Sequence, residues 1–236
     1  LPGEKVVYLP WEQLHAELRT LLGDAKQVAM QYSPLNNIPY IDLADPGMVE
    51  LVRSFGVEVV SSADLVQEFE VVMGEDGFTR HREAGVIVQA IKDRAFERIR
   101  VAVAAGETLT EYDVQQGIIR EFTEHGLNCD KEWPIVAVNA HAADPHFEPT
   151  PENTVPIRSG DGVLIDLWAR QDRPDGIYYD ITWCGYVGTT PPAKYVAIWE
   201  AAVAARDAAL SLVKTRMGAG EKIFGWEVDK AARDVI

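Results

Sequence analysis

Cysteine is scarce: the 236-residue chain has only Cys129 and Cys184. Two thiols cannot build a disulfide framework, so the expectation is an intracellular, cytoplasmic protein with reduced cysteines. Basic residues are outnumbered, 22 Lys and Arg against 37 Asp and Glu, for a net charge of −15. A surface of that sign repels phosphate backbones and anionic bilayers, so neither nucleic acid nor membrane is an expected partner. No apolar run approaches the roughly 18 residues of a transmembrane helix, and no secretory pattern opens the chain. Phosphate cradles and serine-hydrolase elbows are missing too. Ser159-Gly160-Asp161-Gly162 leads into a strand pattern without a following Lys-Ser or Lys-Thr, as a turn does, and no Gly-x-Ser-x-Gly occurs. What the chain does have is 47% hydrophobic content, enough at this length for one large domain or two smaller ones.

Residues 1 to about 70 alternate helix-like and strand-like stretches in an α/β rhythm. They run Trp11 to Leu22 closed by Gly23, Gln27 to Tyr32, Pro46 to Phe55 closed by Gly56, and Val57 to Val60. The Gly74-Glu75-Asp76-Gly77 segment reads as a turn and domain boundary, dividing the chain into residues 1–74 and 75–236. Beyond it, Ala84, Ile87, Val88, Ile91, Ala95, Ile99 and Ala102 recur at helical spacing until Gly106. Thr108 and Glu111 have capping-box spacing ahead of a second helix, with Val114, Ile118 and Phe122 on one stripe and Gly126 as its stop. From Trp133 the period becomes strand-like. Pro134 to Ala140, Gly162 to Ala169 and Gly176 to Val187 are expected to form an antiparallel sheet. Pro191-Pro192 opens a long helix with Val196, Trp199, Val203, Leu210 and Val213 on one side, broken at Gly218 and Gly220. The chain starts at Leu1 and stops on Val235-Ile236 without a helix-stop residue, the pattern of a piece of a longer protein.

Two constellations carry chemistry. Asp166 and Asp180 sit inside apolar strand patterns joined by Gln171-Asp172-Arg173-Pro174-Asp175-Gly176, a hairpin that brings the two carboxylates face to face. Like charges so placed repel unless a cation or shared proton intervenes; oxygen ligands suit Mn, Mg or Ca and, with histidine, Zn, Co or Fe. The alternative is a pair of hydrogen-bonded core carboxylates. Asp161, Asp172 and Asp175 read as turn formers. The second constellation is the loop Asn139 to Thr150, which carries His141 and His146 beside small residues and so offers a pocket wall. Its alternative is that the imidazoles bond the loop backbone. His15 and His81 are read as helix-surface residues, His125 as a helix C-terminal residue, and Cys184 as core.

The order of these motifs is specific. The His141 to Thr150 loop, Ser159-Gly160-Asp161-Gly162-Val163-Leu164-Ile165-Asp166, Tyr179-Asp180-Ile181-Thr182 and Val187-Gly188 resemble the pita-bread metallopeptidases, in their aminopeptidase P and prolidase branch. The resemblance covers residues 78 to 236 and implies an α+β pita-bread fold, first half, with residues 1–74 the end of a creatinase-like N-terminal α/β domain. It implies hydrolysis of Xaa-Pro peptides at a dinuclear centre that activates water. Asp166 and Asp180 match its first two ligands, with Asp180 approaching both ions, and His146 matches the histidine on the substrate side. It assigns His141 no role. The implied cofactors are two divalent ions, Mn or Co ahead of Zn or Fe, the partner is a peptide substrate, and the whole protein is expected to be a homodimer.

Three departures stand out. The aspartates are fourteen residues apart, a few more than usual, and Trp183-Cys184 replaces Arg-Thr. The remaining ligands, one histidine and two glutamates, are absent from this chain, which is therefore expected to be inactive by itself. The rival readings are a metal-free creatinase-type amidinohydrolase, against which the retained aspartates argue, and a non-catalytic binding module, in which they would be eroded.

Overall fold

The structure, a computed structural model, describes residues 4–236; Leu1, on which the reading of the N-terminus rests, lies outside them. The chain forms two compact units, residues 1–74 and 75–236. In the first, α1 (Trp11–Leu22) ends at Gly23, whose φ of 51° places it in the left-handed region that glycine reaches without a Cβ clash. β1 (Gln27–Met30) pairs in parallel with β2 (Glu58–Ser61), and α2 (Pro46–Ser54) connects them. The Asp45 side chain caps α2 by accepting from the Met48 amide at 3.2 Å, with Pro46 in the first turn where its missing N–H costs nothing. Val49 and Val52 of α2 close over Val57 and Val59. A short helix, α3 (Ala63–Val66), follows β2.

The second unit begins with α4 (Glu75–Ala105), so Glu75 to Gly77 belong to its first helical turn rather than to a free turn, and Gly74 lies just before it. Glu75 and Asp76 explain the difference: carboxylates at a helix N-terminus favour the dipole and extend the helix back to them. α5 (Glu111–Glu124) follows, and its cap corrects the expected one. Thr110, not Thr108, is the N-cap, its hydroxyl accepting from the Asp113 amide at 3.1 Å while Asp113 accepts from the Thr110 amide at 3.0 Å. The sequence contains both registers of the box; the fold selects the later one because Glu111 is committed elsewhere. Thr110→Ala is expected to cost about 1 kcal/mol in urea unfolding. The Thr110 hydrogen bond holds the Asp113 carboxyl below the usual range. Asp113 therefore contributes stability above the unfolded aspartate pKa, and that stability is lost as acid takes the pH down through the folded value.

The sheet is built on β5 (Gly162–Gln171), paired antiparallel with β4 (Ile135–Val138) and β6 (Tyr179–Tyr186), while the two-residue β3 (Leu127–Asn128) joins its last residues. Along β5 the odd positions Val163, Ile165, Leu167 and Ala169 are buried in the core with Val88, Ile91 and Ile99 of α4 and Val114, Ile118 and Phe122 of α5. The even positions look the other way, and it is on that second face that the acidic residues lie. The approach of α4 to β6 is close: a Cβ added at Gly85 would fall 2.6 Å from the ring of Tyr179. α6 (Ala193–Gly218) and α7 (Gly225–Arg233) complete the described residues. The expected apolar side of α6 is only partly covered: Trp199 and Leu210 stay about half exposed, and Ala205 is its buried residue. No helix among the described residues is long and apolar enough to cross a membrane.

Candidate active site

Register places the two aspartates. Ala169 lies opposite Tyr179, which sets Asp166 opposite Thr182 and Asp180 opposite Trp168. The carboxylates are therefore diagonal neighbours on one face rather than directly opposed, because the loop between the strands closes one step beyond the symmetric position. Diagonal neighbours on a sheet are roughly 7–8 Å apart at Cα, a span that leaves room between the carboxylate heads. The Thr182 hydroxyl donates to Asp166 Oδ1 at 2.7 Å, orienting that carboxylate. Asp180 is pushed up from the ordinary carboxylate range, first by burial and then by the charge of Asp166.

Two acidic groups thus share one face, and among the described residues no side-chain donor or cation compensates the second, which is open to solvent. An oxygen-ligated divalent cation fits the arrangement, since its charge reverses the sign of the neighbouring interaction and both donors are hard oxygens. Two carboxylates are part of a ligand set. Among the described residues no group of three or more His, Cys, Asp or Glu converges to complete one.

The long hairpin is held firmly at its tip. Arg170 grips Asp130 through Nε and Nη2 at 2.9 and 2.8 Å, and the Tyr178 hydroxyl donates to the same carboxylate at 2.5 Å. Loss of water, and then donation to that carboxylate, push the Tyr178 phenol up to about 12. Arg80 of α4 donates to the Asp175 carbonyl at 2.9 Å. His81, expected on an open helix surface, is instead half-buried, with Nδ1 2.7 Å from the Tyr178 carbonyl and its ring 5.0 Å from that of Tyr179. The extra hairpin residues thus brace the start of the strand that bears Asp180.

The Trp183-Cys184 pair divides between the two faces. Trp183 turns toward α4 and receives the ammonium of buried Lys92 over its ring at 4.2 Å. Cys184 is exposed, not core, on the face shared with Asp180 and Thr182. The period of a strand decides this: successive residues of β6 point to opposite faces and cannot both reach α4.

The histidine loop leaves β4 at Asn139, a non-glycine residue at φ 50°. Its strained backbone is held by its own amide, which donates to Asp161 at 2.7 Å and accepts from the Gly162 amide at 2.9 Å. His146 is exposed, and its backbone amide donates to Asp144 at 2.9 Å. His141 is turned inward onto Glu111, with Nδ1 2.9 and 3.1 Å from the two carboxylate oxygens. The Glu111 side chain is 0% exposed and also accepts the Val138 amide at 2.7 Å and the Val155 amide at 3.0 Å. The sequence pattern pairs Glu111 with Thr108 in a capping box, a role the structure gives to Asp113 with Thr110. The available signal for the burial of Glu111 was its place three residues before Val114 and seven before Ile118, on the stripe that faces the core.

Comparisons with known proteins agree with this architecture. A putative Xaa-Pro aminopeptidase of Mycoplasma genitalium is 30% identical over 129 residues, 54% of this chain and 33% of that protein. The prolidase of Thermococcus sibiricus superposes with a TM-score of 0.58 at 20% identity, over 100% of this chain and 58% of its own. The dipeptidase PepE of Mycobacterium ulcerans gives 0.59 at 22% identity, over 94% and 52%. The chain thus spans about half the length of the solved structures it matches, and the fold is the α+β pita-bread fold of which it covers part. Residues 79–236 match the sequence profile of Metallopeptidase family M24, two thirds of the chain, and the chain belongs to that family.

Proposed function

We propose that the whole protein hydrolyses the bond preceding proline in Xaa-Pro peptides or dipeptides, at a centre of two divalent ions held in part by Asp166 and Asp180. The observation that carries this reading is the sheet face shared by Asp166 and Asp180, two carboxylates with no protein cation between them among the described residues. Bound there, divalent cations supply Lewis acidity and a source of hydroxide near neutral pH. Thr182 occupies Oδ1 of Asp166 and so leaves its second oxygen for the cation side. His146, exposed on its loop, serves the substrate near the scissile carbonyl. The negative face also suits a free peptide α-amino group, and proline is selected by shape because its tertiary amide brings no N–H. Mn or Co is the proposed metal pair and a homodimer the proposed assembly. In the same reading the remaining ligands come from outside this chain, which does not turn over substrate by itself.

Exhaustive chelation of the whole protein is expected to abolish hydrolysis of an Ala-Pro dipeptide and of a longer Ala-Pro peptide, and added Mn or Co to restore it. Full activity after chelation would discard the proposal in favour of metal-free chemistry on the same fold.

A further inference from the structure

We propose that Glu111 and His141 are positioning residues for His146. The inference rests on the reading that His146 serves the substrate, and it adds how that ring is kept in place. One buried carboxylate gathers the whole loop: the Val138 amide lies at its start, the Val155 amide beyond its end, and the His141 ring within it. A carboxylate that accepts backbone N–H bonds at both oxygens offers the ring only acceptor sites, so Nδ1 carries the proton and Nε2 is the bare nitrogen. The bond therefore fixes both the tautomer and the plane of His141.

That plane is used. The His141 ring stacks on Phe147 with centroids 4.1 Å apart and 26° between the rings. Phe147 is the residue after His146, whose own amide is tied to Asp144. The path runs from carboxylate to imidazole to phenyl to the backbone that carries His146. Among the described residues the side chains of this loop reach α5 only through His141 on Glu111, while Asn139 ties the start of the loop to Asp161 and Gly162. Holding a reacting group through a buried partner matters because a displacement of about 1 Å is enough to cost on the order of a hundredfold in rate.

Nitrogen-15 labelling of histidine reads the first part directly: neutral His141 is expected to be protonated at Nδ1 and bare at Nε2, and the opposite tautomer overturns the proposal. The second part uses His141→Phe, which keeps a ring against Phe147 and removes the donor. For an Ala-Pro dipeptide the whole enzyme is expected to lose about tenfold in kcat with KM within about twofold and bound metal unchanged. In a His146→Ala background the same change is expected to cost nothing further, since a residue that acts through another is not additive with it. An equal loss in both backgrounds, or none in either, overturns the positioning role. If the wild-type protein hydrolyses no Xaa-Pro peptide, the functional reading fails. The positioning claim is then decided by the His146 ring-nitrogen shifts, which move in His141→Phe if the proposal holds and stay fixed if it does not.

Discussion

Asp180→Asn is expected to remove bound divalent metal and to lower Xaa-Pro hydrolysis by about three orders of magnitude or more, the loss anticipated when a ligand rather than one of its outer supports is taken away. The reason is electrostatic. Asp180 is a solvent-accessible carboxylate on the same sheet face as a second one, an arrangement that a bound cation makes favourable. The same physics predicts that the metal-free variant is folded. The folded pKa of Asp180 is raised, so its ionisation opposes folding. This group favours the fold most below the unfolded aspartate pKa, and that contribution is lost as the pH rises through the folded value. Removing the charge near neutral pH is therefore expected to leave the thermal midpoint of the metal-free protein unchanged or higher. Metal analysis and calorimetry check the two parts separately. Retained metal at wild-type stoichiometry would show that Asp180 is not a ligand, and a markedly lower midpoint would show that its carboxylate has a structural partner.

Glu111→Ala is expected to be the most destabilising single change, about 4 kcal/mol in urea unfolding. It leaves the Val138 and Val155 amides without their acceptor and the His141 ring without its partner, and each orphaned donor costs about 1–3 kcal/mol, with a cavity added. Glu111→Gln is expected to fall between, because its amide oxygen still accepts one backbone N–H while its NH2 group faces another donor. A loss under about 1 kcal/mol for the alanine variant would mean that water replaces the carboxylate at little cost, and that the loop does not depend on it.

Much of the fold is written in periodicity. The stripe Val114, Ile118, Phe122 with Gly126 beyond it marks α5, and the alternation of Val163, Ile165 and Leu167 marks β5, because burial on one face imposes those spacings. Both aspartates stand out for the same reason, as charges in apolar strands. The offset between them does not show in the sequence. The hairpin also carries Arg170 and Tyr178 onto Asp130, forty and forty-eight residues away, and no local pattern announces such a meeting. β4 stops at Val138 rather than running to Ala140 because Asn139 turns the chain in a conformation usually given to glycine. Glu111 was obscured by an overlap: two cap registers share the stretch Thr108 to Asp113, and the residue that looks like a cap in one is a buried anchor in the other. Cys184 shows the limit of composition, since a thiol beside a tryptophan suggests packing until the strand's alternation assigns it to the outer face.

The missing side chain at Gly85 has a consequence for how this centre can vary. Tyr179 fills the space a methyl group would take, and its next neighbour along the backbone is Asp180, pointing through the opposite side of the sheet. A larger residue at position 85 would therefore have to displace the Tyr179 ring, in the strand where Asp180 is the very next residue.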